Sequence, residues 1–251
     1  MKHLVQSCLI FGLMLVAAAS VQTNHGEHAW DYGEVHGPAH WGDLKPEFAV
    51  CKSGSRQSPI DISSSEKADL PPIQFDYKPS PLRIIDNGHT VMVTYAPGSS
   101  ISIGENRYAL RQFHFHRPSE EKIEGKSYDM VVHLVHQNEA GKLAVIAVLI
   151  EKGQDNPLVR NLWAHIPKVK DKEESLANVD INASSLLPAD HSYYTFEGSL
   201  TTPPCTEGVT WLVLKHPATM SAKEIEQFSR VYPHNARPIQ PSNGRSVLES
   251  R

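Results

Sequence analysis

Alternation of histidine and phenylalanine in one short segment places the tightest constraint on how this chain can fold. Residues 111–121 read RQFHFHRPSEE, in which Phe113 and Phe115 alternate with His114 and His116. Successive side chains of a β-strand point to opposite faces, so the phenylalanines share one face and the histidines the other. The apolar face can pack on a core, and the other carries two imidazoles close enough to bind one metal ion. An ordinary solvent-exposed strand is the alternative, so this segment needs partners elsewhere in the chain.

The rest of the chain predicts further strands of the same kind. Short β-rich runs are separated by turn signals such as Asp86-Asn87-Gly88 and Gly104-Glu105-Asn106. Residues 143–150 and 209–214 are apolar at nearly every position, which is typical of central strands buried on both faces.

Helix signals are few. Asn156 before Pro157 marks one helix start, and Ser221 with Glu224 three residues later is a capping-box pattern. The 18 prolines and 15 glycines fit a loop-rich protein. We therefore predict a mainly β fold (α+β with few short helices): a single domain built on a large, mostly antiparallel, twisted central β-sheet.

The first twenty residues predict a secretory signal peptide. Lys2 precedes an apolar run from Cys8 to Ala19 that ends in small residues. The run is shorter than the ~20 apolar residues of a membrane-spanning helix. We expect a signal peptide over 1–20, one domain of about 230 residues over 21–251, and a periplasmic or secreted location.

The net charge and its distribution disfavour some classes of binding partner. The formal net charge is −4 and the chain has no long basic run. Nucleic acid and anionic membranes are therefore poor candidates as partners.

Two cysteines lie outside the predicted signal peptide, Cys51 and Cys205. An even pair in an exported chain favours a disulfide, because such compartments are oxidising. Two free thiols, one of them near a site, are the alternative.

A third histidine supplies the partner that the opening segment needs. His133 lies in the strand-like run YDMVVHLVH, and a turn-bearing loop separates it from His116. Three neutral imidazoles on neighbouring strands leave a fourth tetrahedral position for water, as catalytic zinc sites do. His136, three residues further on, would point to the opposite face, and we interpret it as a packed or hydrogen-bonded residue.

Taken together, the segments QFHFHRPSEE, HLVH, GSLTTPPCTEGVTW, NGH and RPIQPSNGR resemble the α-class carbonic anhydrases. The similarity runs from Trp30-Asp31-Tyr32-Gly33 through RQSPIDI at 56–62 to Arg245. The positions of Cys51 and Cys205 resemble the bacterial exported branch, which carries one disulfide there.

This resemblance implies zinc-dependent, reversible hydration of carbon dioxide to bicarbonate and a proton, by zinc-hydroxide attack with a histidine proton shuttle. It implies Zn²⁺ ligation by His114, His116 and His133, catalytic roles for His89 (the shuttle), Thr201 and Glu120, and contacts to substrate by Thr201, Thr202, Val135, Val145, Leu200 and Trp211. The expected partners are a small molecule, carbon dioxide or bicarbonate, and a second copy of the chain in a homodimer.

One position departs from the family pattern. Two residues before the third ligand, many relatives carry a glutamate that accepts a hydrogen bond from its free ring nitrogen, whereas this chain has Val131. Either another group orients His133 or the metal is held less tightly, and weaker zinc retention is our hypothesis. Glu121, where many relatives have a histidine, is expected to affect inhibitor preference and active-site hydration.

Two other classes of protein fit part of the sequence pattern around His114 and His116. The cupin metal motif also has His-x-His followed by Glu, as in His114, His116 and Glu120, but its glycine would fall at Tyr108. In that alternative, Glu120 ligates iron or manganese. The other is a binding module that kept the fold and lost zinc, and the intact set of ligands argues against it.

Overall fold

One large twisted sheet organises the part of the chain that the structure, a computed structural model, describes, residues 29–251. The segment predicted as a signal peptide, residues 1–20, lies outside the described residues. Within residues 29–251, no helix is both long and apolar enough to cross a membrane.

The strands are β1 Asp61–Ile62, β2 Glu66–Ala68, β3 Ile73–Asp76, β4 Ser80–Asp86, β5 Val91–Thr94, β6 Ser100–Ile103, β7 Asn106–His116, β8 Lys122–Ile123, β9 Met130–Gln137, β10 Leu143–Lys152, β11 Glu174–Ile181, β12 Tyr193–Ser199, β13 Glu207–Leu214, β14 Ala218–Met220 and β15 Leu248–Ser250. The helices are α1 Trp41–Leu44, α2 Val50–Ser53, α3 Pro157–Ala164 and α4 Ala222–Val231, with 3₁₀ turns at Pro46–Phe48 and Ala183–Leu186.

Most strand pairs of the sheet are antiparallel. The main path runs β11-β4-β5-β7-β9-β10-β13-β12-β15-β2, with β3, β6 and β14 attached to its sides. Parallel pairs occur where β10 meets β13 and β14, and where β15 meets β2. The predicted mainly β fold with few short helices is confirmed.

Two hairpins form where the turn signals predicted them. β4 and β5 pair across the turn that contains Gly88, and β6 and β7 pair across the turn that contains Gly104. Both glycines have positive φ, 78° and 57°, which residues with a side chain rarely adopt.

The central strand β10 is buried on both faces, as its apolar sequence predicts. Val145, Ala147 and Leu149 join one hydrophobic cluster, while Ile146 and Val148 join another on the opposite face. Neighbouring β9 and β13 occupy both of its edges. Burying each large aliphatic side chain contributes about 1.5–3 kcal/mol, so these two clusters hold the sheet together.

Helices α3 and α4 cover one face of the sheet next to β7. Phe115 on β7 lies 4.9 Å from Trp163 of α3 and 6.2 Å from Phe228 of α4, measured between ring centroids. Phe113 is also fully buried in this cluster. The phenylalanine face of β7 is therefore anchored to the core, which directs its histidine face to the other side.

A separate small cluster joins the N-terminal helices to the loop after β12. Cys51 in α2 and Cys205 form a disulfide with an S–S distance of 2.03 Å. Trp41 in α1 is buried against this pair. The predicted disulfide is thus present and ties helix α2 to the loop between β12 and β13.

Candidate active site

Three histidines converge on the face of the sheet opposite the phenylalanines. His114 on β7 pairs directly with His133 on β9, and His116 is two residues further along β7. Each offers one ring nitrogen, and these three atoms lie within 4.8 Å of one another. His116 and His133 are each only 1% exposed. This is the group that the alternating segment and the later strand predicted.

Hydrogen bonds fix the remaining ring nitrogens on β7. Nδ1 of His114 lies 2.8 Å from Oε1 of Gln112, and Nδ1 of His116 lies 2.7 Å from the backbone oxygen of Asn235. Because the backbone oxygen can only accept, His116 donates from Nδ1 and keeps the lone pair of Nε2. That Nε2 is buried and has no hydrogen-bond partner within the described residues. A buried nitrogen in this state suits a metal ligand.

The third histidine is oriented by a carboxylate that the sequence analysis did not assign. Nε2 of His133 lies 3.0 Å and 3.2 Å from the two carboxylate oxygens of Glu121, which is fully buried. Val131 is also fully buried. Of the two alternatives that Val131 left open, the contact fits the first, in which another group orients His133, and the hypothesis of weaker zinc retention loses its premise.

Two of the three histidines are held in the neutral form that a metal ligand needs. Burial lowers the pKa of His114 to about 3 and that of His116 well below its usual range, and the charge of His133 acts in the same direction. Burial also lowers the pKa of His133, but Glu121 and Glu120 outweigh it and raise that pKa. Imidazole binds metals through a deprotonated nitrogen, and tetrahedral sites with an open position use three such ligands. The donor set therefore fits zinc.

A second buried carboxylate lies beside the cluster. Oε1 of Glu120 accepts a hydrogen bond of 2.7 Å from the backbone N–H of Arg237. Burial raises the pKa of Glu120 to about 7, although His133, that N–H and the Thr201 hydroxyl all act to lower it. Thr201 is itself almost fully buried. The threonine hydroxyl and the Glu120 carboxyl are thus neighbours, as the family pattern requires.

The four residues expected to form an apolar pocket belong to one hydrophobic cluster. Val145 and Trp211 are buried in it, and Val135 and Leu200 pack against it partly exposed. The Trp211 ring lies 4.9 Å from the His133 ring, so the cluster reaches the histidine group. Thr202 is partly exposed in the loop that follows Thr201.

His89 lies on the turn between β4 and β5. Its imidazole stacks on Trp30 with ring centroids 3.6 Å apart and planes 5° apart. The side-chain oxygen of Asn87 accepts a hydrogen bond from the His89 N–H, and the Asn235 amide donates to the His89 backbone oxygen. The ring therefore has a defined position on a turn that Asn235 ties to β7.

Sequence reasoning missed several supporting residues. Gln112 could have been found, because it lies two residues before His114 on the same face of the strand. Asn235 gave no signal, yet its side chain donates to the backbone oxygens of His89 and Phe115. His136 lies on the opposite face, as expected, and its Nε2 is 2.8 Å from the Tyr77 hydroxyl.

Comparisons with known proteins agree with this geometry. A family model described as eukaryotic-type carbonic anhydrase matches residues 36–251. The chain belongs to the carbonic anhydrase family. A carbonic anhydrase of Pectobacterium atrosepticum is 44% identical over 237 residues, which cover 94% of this chain and 96% of that protein. The predicted α-class resemblance and enzyme class are confirmed, and the cupin alternative is wrong.

Solved structures show the same fold. A hyperthermostable carbonic anhydrase from a hydrothermal vent chimney superposes with a TM-score of 0.86 at 44% identity, covering 88% of this chain and 100% of that one. Dioscorin complexed with ascorbate superposes with a TM-score of 0.82 at 33% identity, covering 88% of this chain and 97% of that one. The fold is therefore shared by proteins with different names, so the function is argued from the site.

Proposed function

We propose that this protein hydrates carbon dioxide reversibly to bicarbonate and a proton, with Zn²⁺ held by His114, His116 and His133. The observation that carries the proposal is the meeting of three ring nitrogens within 4.8 Å of one another, each on an imidazole whose other nitrogen has an acceptor within 3.0 Å. Zinc bound there would supply a Lewis acid that activates water as a nucleophile, for which carbonic anhydrase is the standard example.

Thr201 and Glu120 would orient the reacting water. A threonine hydroxyl that donates its proton to a carboxylate keeps its oxygen lone pairs for accepting. The Arg237 N–H fixes one oxygen of Glu120, which leaves the other for Thr201. The Thr201 oxygen then accepts a hydrogen bond from the water and aims a lone pair of that water at the substrate.

Carbon dioxide is small and uncharged, so it needs an apolar site beside the water. Val135, Val145, Leu200 and Trp211 would form that site, because they belong to the cluster that reaches His133. Thr202, partly exposed next to Thr201, would contact bicarbonate through its hydroxyl or backbone.

His89 would carry the product proton to the solvent. An imidazole with an ordinary pKa near 6.5 accepts and releases protons around neutral pH. Its stacking on Trp30 and the anchoring of its backbone by Asn235 support a fixed position for this task.

We also propose that residues 21–251 act outside the cytoplasm, in the periplasm or after secretion. The Cys51–Cys205 disulfide supports this, because such bonds persist in oxidising compartments.

Carbon dioxide hydration by residues 21–251, followed by stopped flow, tests the proposal. The protein is assayed as purified, after zinc removal, and after zinc is restored. We expect activity to disappear with the metal and to return with zinc. Absence of activity in the folded, zinc-loaded protein would contradict the proposal and favour a binding module.

A further inference from the structure

We propose that Glu121 is the positioning residue that holds His133 as a metal ligand, in place of the strand carboxylate that many relatives carry where this chain has Val131. This rests on the proposed zinc-dependent function. The geometry is direct: both carboxylate oxygens of Glu121 lie within 3.2 Å of Nε2 of His133.

The hydrogen bond between His133 and Glu121 is strong because both groups are shielded from water. Glu121 and His133 are 0% and 1% exposed, so the carboxylate has little water to compete for the imidazole N–H. A hydrogen bond from an imidazole to a buried carboxylate is charge-assisted, and it fixes both the ring orientation and the nitrogen that carries the proton. Nδ1 of His133 is then the atom left for the metal.

The segment that carries Glu121 is itself held in place. Ser119 exchanges hydrogen bonds with the backbone of Tyr128, and its hydroxyl donates to the backbone oxygen of Glu121 at 2.9 Å. Directly after Glu121, Lys122 pairs with β1. The carboxylate is therefore placed before any metal binds, which a surface glutamate would not be.

One short segment consequently serves two parts of the site. Glu120 faces Thr201 and Arg237, while the next residue faces His133. The segment that fixes the water-orienting hydroxyl also fixes the third ligand. In the many relatives that carry a glutamate at the position of Val131, the carboxylate that contacts the third histidine comes instead from the strand of that histidine.

Val131→Glu should not raise the zinc affinity of the natural protein. His133 has one N–H to donate once its other nitrogen binds a metal, and Glu121 already accepts it. The added group would be a second buried carboxylate without a donor, which is costly.

Zinc release to excess chelator, followed with a zinc-sensitive dye, tests the inference on the zinc-loaded protein. We expect Glu121→Gln to lower zinc affinity about 10–100-fold and to speed release accordingly. Glu139→Gln removes the same charge from an exposed turn and should release zinc as the natural protein does. Equal release by Glu121→Gln and the natural protein would overturn the inference.

A swapped pair separates loss of the carboxylate from damage to the fold. Val131 is two residues before His133 on β9 and so lies on the same face of the strand. We expect Glu121→Val with Val131→Glu to retain zinc better than Glu121→Val alone. If the two variants release zinc equally fast, the carboxylate on His133 is not what retains the metal. A natural protein that binds no zinc would instead defeat the proposed function itself.

Discussion

At the residue scale, the three histidines of the candidate metal site contact three chemically different acceptors. A side-chain amide serves His114, a backbone oxygen serves His116, and a carboxylate serves His133. A carboxylate accepts a stronger hydrogen bond from an N–H than a neutral acceptor does, so His133 is the most basic of the three histidines. Burial lowers the pKa of His114, whereas the carboxylates of Glu121 and Glu120 outweigh burial at His133 and raise its pKa.

Substitution of His89 tests proton transfer to the solvent separately from the hydration of carbon dioxide. We expect His89→Ala to lower kcat about tenfold or more in weak buffer while leaving kcat/KM nearly unchanged, because general acid–base groups contribute at least this much. Stopped-flow rates at several buffer concentrations measure both constants. His36→Ala, which removes an exposed imidazole, is the control and should change neither. An unchanged kcat in weak buffer would remove His89 from the mechanism.

Burial of His136 should make the free energy of unfolding depend on pH. It is fully buried, and burial lowers its pKa from 6.5 to about 3. Between these values the unfolded chain binds a proton that the folded chain does not, so stability falls as the pH drops below 6.5. The loss by pH 5 is about 2 kcal/mol.

Urea unfolding of the natural protein and of His136→Gln at pH 8 and pH 5 measures this effect. We expect the variant to lose less stability between the two pH values, because glutamine does not titrate and can still bond the Tyr77 hydroxyl. Equal losses in the two proteins would show that His136 does not contribute to acid sensitivity.

At the scale of elements, one glutamate joins the starts of α3 and α4. The Glu224 carboxylate accepts hydrogen bonds from the backbone N–H of Ser221, the N-cap of α4, and from that of Asn156, the N-cap of α3. Its own backbone oxygen accepts from the Trp163 indole. The two helices that cover the phenylalanine face of β7 are therefore fixed together at this point.

Removal of this carboxylate should destabilise the protein more than loss of a simple cap. We expect Ser221→Ala to cost about 1 kcal/mol and Glu224→Ala about 2 kcal/mol in the free energy of unfolding, measured in urea. Glu226→Ala, on the exposed side of the same helix, should change it by about 0.5 kcal/mol or less. Similar costs for Glu224→Ala and Glu226→Ala would contradict the joining role.

The sequence predicted strands and helix starts well because these depend on neighbours along the chain. Alternation set the two faces of β7, and the caps at Asn156 and Ser221 formed as expected. The parallel pairing of β10 with β13 did not follow from the sequence, since long connections leave pairing open.

At the scale of the whole molecule, two of the contacts that sequence reasoning missed bring loops to the histidine strands or to the turn that carries His89. Glu121 reaches His133 only because its segment folds back beside β9, and Asn235 reaches His89 across most of the chain. No pattern of neighbouring residues in the sequence predicts such contacts. The group of three histidines was predictable because its members lie on paired strands, whereas two of the groups that contact it, Glu121 and the backbone oxygen of Asn235, come from loops.

Arg237 connects the disulfide to the site. Its guanidinium donates to the backbone oxygens of Cys51 and Ser58, and its backbone N–H holds Glu120. Burial lowers the pKa of this guanidinium to about 10, which still leaves it charged at neutral pH. Movement of the disulfide segment should therefore reach the Glu120 carboxylate through one residue, Arg237.

Opening the disulfide should accordingly reduce stability and activity together. Cys51 and Cys205 are 154 residues apart, and closing so long a loop stabilises the folded state by up to about 5 kcal/mol in the chain-entropy model. We expect Cys51→Ala with Cys205→Ala to lower the urea midpoint strongly and to reduce carbon dioxide hydration before the protein unfolds, because the acceptor of Arg237 at Cys51 is no longer fixed. The comparison is made at equal zinc loading, so that metal loss does not account for the difference. Full activity up to the unfolding transition would show that the disulfide acts only on stability and that Arg237 does not transmit its position to Glu120.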